Sequence, residues 1–334
     1  MSLDILKTDI SSNKLRRIYY IYGNEDYLKK FYLNEIKRIT VSKEAEDFDF
    51  FKIDGKHMSI EDFSEQLEQF TIISEKKMIF ITDIPFSSPV RNYIQKNPQD
   101  LPEDTVVVLY YIDEKYDERT KDFKTFKAVI EQNGLIVEIN SPDLITMKKW
   151  VNQLFKKRQK FISEDSVNYL LFNIDNDMNI ILNEVNKLTA YCDKTITNKD
   201  IDAVCIKTVD AKTYDLTDAV LNKDSNLSFK LVNKLFEMQT NVQVLLGALF
   251  SAFCNLYKIK ILLIEGLNAD EISKKLNMRD FVVKKNIKKL QNIDEAKLCR
   301  IIDSCIEADL AAKSTTVDEK VIITKLIVEG INIL

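Results

Sequence analysis

The sequence predicts an α/β domain built on a parallel sheet, then a small all-helical domain, then a larger one. Three observations carry this prediction. Residues 1 to about 141 alternate short apolar runs with amphipathic stretches, the pattern of strands linked by crossover helices. From Ser141 onward the strand signal vanishes and apolar residues recur at helical spacing. Only 6 Gly and 5 Pro occur in 334 residues, which calls for short loops and many helices.

The expected strands are Ile18–Tyr22, Phe48–Ile53, Met78–Ile81, Thr105–Tyr111 and Leu135–Ile139. They are rich in Ile, Val, Phe and Tyr and nearly continuous in hydrophobicity, as strands covered on both faces should be. Helical patterns lie between them at Glu25–Ile39, Ile60–Phe70 and Thr120–Gln132. The first domain is placed at 1–141. Pro142 suits a helix start, followed by Leu144, Met147, Trp150, Val151 and Leu154. Ser163 caps a helix that carries Val167, Leu170 and Leu171 inward, and Asn179–Tyr191 and Lys199–Val204 complete a bundle. That second domain is placed at 142–210. The third, 211–334, is built around the apolar stretch Val244–Tyr257 and a last helix from Asp318.

Apolar residues make up 45% and charged residues 30%, the balance of a soluble globular chain. A net charge of −4 argues against a protein that grips nucleic acid over its whole surface. Five cysteines form no Cys-x-x-Cys pair, and His57 is the single histidine. Zinc-site spacing is therefore absent, no metal or cofactor is expected, and the thiols read as buried structural groups. The opening residues lack the basic-then-apolar order of a signal peptide. Val244–Tyr257 is too short to span a bilayer and is followed by Lys258 and Lys260. A cytoplasmic protein without a membrane segment is expected.

The junction Tyr22-Gly23-Asn24-Glu25-Asp26-Tyr27-Leu28-Lys29-Lys30 invites a phosphate site, because helix N-termini bind anions. A phosphate-binding loop needs Gly-x-x-x-x-Gly-Lys-Ser/Thr. Leu28 stands where the second Gly belongs, and Lys29-Lys30 where Lys-Ser/Thr belongs. Glu25 and Asp26 put negative charge where phosphates would lie, although both suit the helix dipole. Gly23, Glu25 and Lys29 thus mark a degenerate site at which no nucleotide is expected. Asp113-Glu114, after an apolar strand, resembles the acidic pair that positions magnesium in ATPases, but on the fourth strand rather than the third. Solvated strand-end acids are the simpler reading.

Tyr20-Ile21-Tyr22-Gly23-Asn24-Glu25-Asp26-Tyr27-Leu28 resembles the opening of the delta-subunit family of bacterial DNA polymerase III. Asn183-Glu184-Val185-Asn186-Lys187-Leu188, with Tyr191 and Ile196, resembles its second-domain signature, and Leu216-Thr217-Asp218-Ala219-Val220 the start of its third domain. Asp270–Leu276, Val282-Val283-Lys284-Lys285 and Ala308–Lys313 match its collar domain in order and spacing. Each motif is weak alone; the ordered set is specific. The resemblance implies a RecA-like, degenerate AAA+ domain without a phosphate loop, a small helical lid domain and an all-α collar. It implies a clamp loader part with no chemistry of its own, grouped with DNA-directed DNA polymerase only through its complex. The implied partners are the sliding clamp (beta), the AAA+ subunits gamma/tau and delta-prime, and primer–template DNA through the assembled complex.

The family meets the clamp through apolar residues just after the second helix of the first domain. Here Ser59 is a good N-cap with Asp62 three residues on, and Ile60, Phe63, Leu67 and Phe70 form a stripe facing the sheet. Ile72 and Ile73 follow off that stripe and align with the clamp-inserting pair, more often aromatic or Leu-Phe. Phe70, Thr71, Ile72 and Ile73 are the implied clamp-binding residues. The competing reading packs both isoleucines beneath the loop. The implied mechanism is an apolar plug that fits the opened clamp better than the closed one.

The alternative function is a DNA-binding regulator. Asp270–Met278 followed by Phe281–Lys285 has the look of helix-turn-helix, with Lys284, Lys285, Lys288 and Lys289 as a basic face. Collar packing through Ile272, Leu276, Val282, Ile287 and Leu290 explains the same helices. The turn lacks the Gly often found there.

Overall fold

The structure, a computed structural model, describes residues 2–85, 87–112 and 120–334. Two compact units are present, Met1–Leu144 and Ile145–Leu334.

The first unit runs α1 (Ser2–Ser11), β1 (Ile18–Tyr22), α2 (Asp26–Thr40), α3 (Glu46–Asp49), β2 (Phe50–Asp54), α4 (Ile60–Glu68), β3 (Lys77–Thr82), α5 (Pro89–Lys96), β4 (Thr105–Tyr110), α6 (Lys121–Asn133) and β5 (Leu135–Glu138). The strands form one sheet in the order β2-β3-β4-β1-β5, parallel throughout. Every residue of β1 is buried, because β1 has a strand on each side and helices on both faces. Ile18, Tyr20 and Tyr22 share a core with Phe63 of α4, Val90 and Ile94 of α5 and Phe123, Phe126 and Ile130 of α6. Tyr19 and Ile21 point the other way, to Leu6 of α1 and Ile36 of α2. That alternation is the period-two consequence of the pleat.

Several expectations need correction. β2 is an edge strand, only half-buried and alternating, so its apolar run was not evidence of cover on both faces. α4 stops at Glu68, with Gln69 already extended (φ −64°, ψ 128°). Phe63 and Leu67 are buried as expected, but Phe70 has left the helical phase and is 85% exposed. α1 and α5 did not stand out in the sequence. Asp113 and Glu114 lie outside the described residues.

The second unit runs α7 (Leu144–Lys157), β6 (Phe161–Ile162), α8 (Glu164–Asn173), α9 (Met178–Tyr191), β7 (Thr195–Ile196), α10 (Asn198–Val204), α11 (Val209–Leu221), α12 (Ser225–Glu237), α13 (Val242–Ile264), α14 (Ala269–Leu276), α15 (Asp280–Lys289), α16 (Glu295–Ser314) and α17 (Glu319–Ile333). β6 and β7 make a two-stranded parallel pair, a correction to the expectation of helices only. Such short strands give too few alternations to read.

α13 spans 23 residues, longer than its apolar stretch implied, and by length and composition it is sufficient to cross a membrane. Its packing is that of a core helix. Leu245, Leu249, Phe253, Leu256 and Ile259 join Leu298, Ile301 and Cys305 of α16 and Ile323 and Ile327 of α17 in one cluster. The five cysteines are free thiols. Burial pushes Cys305 up to about 12, and burial with the nearby Glu184 does the same for Cys205. Cys254 and Cys299 are only partly buried.

Gly23 leaves β1 at φ +118°, and a Cβ there would lie 2.2 Å from the Ile139 carbonyl oxygen. Gly23→Ala combines left-handed strain with a backbone clash and should cost at least about 1–3 kcal/mol. Urea unfolding followed by hydrogen exchange at β1 checks this: the β1 amides should lose protection at lower urea.

Candidate functional site

In an open parallel sheet a ligand lies beyond the carboxyl ends of the strands, where the strand order reverses. Here that place is the end of β1 beside β4, the junction singled out in the sequence. It is filled by the chain itself. Glu25 caps α2, accepting from Tyr27 N–H at 3.2 Å and from the Ser141 hydroxyl at 3.1 Å. Asn24 and the 140–141 segment bond reciprocally: Asn24 N–H donates to Asn140 Oδ1 at 3.2 Å, and Ser141 N–H to Asn24 Oδ1 at 2.8 Å.

Lys29 is completely buried. Its Nζ donates to the carbonyls of Tyr111 (2.9 Å) and Ile112 (3.0 Å) and pairs with Asp26 at 2.9 Å. At the position where a phosphate-loop lysine would face a nucleotide, this ammonium is satisfied internally. Asp83, closing β3, accepts the Ile112 N–H at 2.9 Å. Among the described residues, no cluster of three His, Cys, Asp or Glu side chains is placed to hold a metal.

The second feature is the loop from Gln69 to Lys76. α4 starts on a full capping box between Ser59 and Asp62. At its other end, the Lys77 ammonium reaches back from β3 to the carbonyls of Gln66 and Leu67, both at 2.8 Å, and of Gln69. Asp49, at the end of α3, accepts three successive backbone N–H groups: Ile72 at 2.7 Å, Ile73 at 3.0 Å and Ser74 at 2.6 Å. Both charges are buried. Burial alone would raise the Asp49 carboxyl, but the three N–H donors outweigh it and hold it below the usual carboxylate range. Desolvation lowers Lys77, with Asp104 and Asp49 opposing.

The side chains above this framework face outward. Phe70 is 85%, Ile72 59% and Ile73 53% exposed, and Thr71 is half-buried. The isoleucines therefore do not pack beneath the loop. Asp49 and Lys77 were not recognised in the sequence. A charged residue opening an apolar strand run was the available signal, but it reads equally well as a solvated turn.

The basic face lies on α15. Lys285 pairs with Asp218 at 2.8 Å, Lys289 also pairs with Asp218, and Lys284 pairs with Asp270 at 3.1 Å; Lys288 is exposed. Asp218, from the third-domain motif, thus ties α11 to α15. The N-terminus of α15, the end a DNA-reading helix would present, packs on α8. Arg279 Nη1 donates to the Leu171 carbonyl at 2.9 Å, and the Phe281 ring meets Phe172 edge-on at 5.5 Å.

A parallel sheet in the RecA-like strand order, with a lysine turned into its own chain at the first strand–helix junction and a braced apolar loop at the surface, defines the class of fold. The family is equally plain. Residues 19–140 match the model "DNA polymerase III, delta subunit", 210–329 match "DNA polymerase III delta subunit, C-terminal domain", and 146–203 match a "middle domain" model. The chain belongs to the DNA polymerase III delta subunit family, a non-catalytic component of the holoenzyme.

DNA polymerase III subunit delta of Bacillus subtilis (strain 168) is 20% identical over 338 residues, covering 97% of this chain and 95% of that protein. A probable DNA polymerase III subunit delta of Aquifex aeolicus (strain VF5) is 21% identical, covering 84% and 81%. The fold is similar to that of the Bacillus subtilis DNA clamp loader delta protein, with TM-score 0.55 and 19% identity over 99% of this chain and 100% of that one.

Lys29→Met keeps the apolar stem of the side chain but removes the ammonium and strands Asp26 and two carbonyls. Removing one member of a buried, hydrogen-bonded charge pair costs about 3–5 kcal/mol, and Asp26 is partly exposed, so the lower end is expected. A urea titration followed by hydrogen exchange in the first unit measures it.

Proposed function

We propose that this chain is the clamp-binding arm of a DNA polymerase III clamp loader, which seats Phe70, Ile72 and Ile73 in an apolar pocket of the sliding clamp and favours its open form. Support comes from one observation above all: three large apolar side chains stand in solvent on a loop whose backbone is braced from beneath. Isolated surface apolar residues need no explanation, but a fixed cluster of them fits a partner. Burying each side chain contributes about 1.5–3 kcal/mol, enough for a small hot spot. A plug that fits the opened clamp interface better than the closed one shifts that equilibrium by the difference in affinity.

No ATP hydrolysis belongs to this chain in the proposal. The plugged junction at Gly23, Glu25 and Lys29 fits a subunit whose AAA+ partners, gamma/tau and delta-prime, supply the chemical energy. Residues 142–210 serve as the lid and 211–334 as the collar that joins those partners, and primer–template DNA is met through the assembled complex. A cytoplasmic setting goes with this role.

Ile72→Ala with Ile73→Ala should weaken binding to the organism's sliding clamp by roughly 100-fold, the equivalent of about 3 kcal/mol. Surface plasmon resonance measures it, and unchanged affinity in a folded double variant contradicts the assignment. Titration calorimetry of the isolated chain with magnesium-ATP should show no binding; a tight, saturable heat would refute the passive role.

A further inference from the structure

Resting on the reading that this loop meets the clamp, we propose that Asp49 and Lys77 are positioning residues, a buried brace that holds the apolar plug in its binding shape before the clamp arrives. The parallel register pairs Phe50 with Met78, so Asp49 and Lys77 stand one residue before the first pair of the β2–β3 ladder. From there the two charges divide the loop's backbone between them. Asp49 takes the N–H groups of Ile72, Ile73 and Ser74; Lys77 takes the carbonyls of Gln66 and Leu67 in the last turn of α4 and that of Gln69. Ser74 is tied further, its hydroxyl accepting the Ser42 N–H at 3.2 Å.

Three consecutive N–H groups converging on one carboxylate make an anion nest. With the amides of Ile72 and Ile73 turned inward, their side chains are directed outward. An unbraced loop of this composition would lower its free energy by folding its apolar residues onto the protein. Ordering it again during binding would cost about 1–2 kcal/mol for each residue fixed. Asp49 and Lys77 have almost no exposed surface, so neither can act by touching the clamp directly. Any effect they have on the clamp passes through the loop.

Asp49→Asn preserves shape but removes the charge and one acceptor oxygen. In the full chain, hydrogen exchange at the amides of residues 72–74 should accelerate at least about tenfold. Affinity for the sliding clamp should fall about tenfold, the equivalent of one residue's order. Circular dichroism and exchange elsewhere in the first unit should stay unchanged. Should Asp49→Asn fail to fold, Ser74→Pro removes one of the three donors, with the hydroxyl that holds Ser42, and leaves the carboxylate in place; a smaller change is expected in clamp affinity and in exchange at the amides of residues 72 and 73. Protected amides in Asp49→Asn overturn the brace. Loosened amides with undiminished clamp affinity, while Ile72→Ala with Ile73→Ala still weakens binding, overturn the positioning role alone. If the isoleucine variant also binds normally, the clamp reading fails and the positioning role falls with it.

Discussion

The ammonium of Lys29 is the contact on which the first unit turns. A lysine without exposed surface is costly unless every donor finds an acceptor, and here two carbonyls and Asp26 supply them. Those carbonyls follow β4, whereas Lys29 itself follows β1 on α2. The bond therefore staples the two strands at the one place where a parallel sheet would otherwise open to a ligand. Gly23 completes the closure by letting the chain leave β1 against the backbone of Ile139. The position where a phosphate-binding loop would begin is here a joint.

The same device recurs at the edge of the sheet. Asp49 and Lys77 are buried charges satisfied mainly by backbone groups, as Lys29 is. Each fixes a length of chain that has no ladder of its own. Apolar packing could not do this, because packing would draw the loop's side chains inward. Charges beneath the backbone leave Phe70, Ile72 and Ile73 free to face outward, so exposure and order coexist in one short segment. Rigid anchors of this kind favour binding by lowering the entropy lost on contact.

In the second unit the organising constraint is apolar. α13 is too hydrophobic to stand in water, and α11, α16 and α17 cover it. The basic side of α15 is drawn into this assembly by Asp218, which pairs with both Lys285 and Lys289. Residues that look like a nucleic-acid face in isolation are thus largely spent on joining helices. Arg279 and Phe281, by packing on α8, occupy the end of the helix that would have read a base.

Local pattern by itself determined much of this protein. β1, β3, β4 and β5 were legible because buried strands concentrate Ile, Val, Tyr and Phe, and the helix starts at Ser59, Ser163 and Asp318 because a cap needs only its own neighbours. The loss of the phosphate loop was legible too, since that motif is contiguous. The place of the loop after α4 came from order along the chain. Tertiary structure alone decided that α4 ends before Phe70 and turns it outward, that β2 lies at the edge, and that β6 pairs with β7. It also decided the partners of Lys29, Asp49 and Lys77. Their backbone partners lie from 8 to 83 residues away, and a charge looks the same in a sequence whether solvent or a distant carbonyl satisfies it.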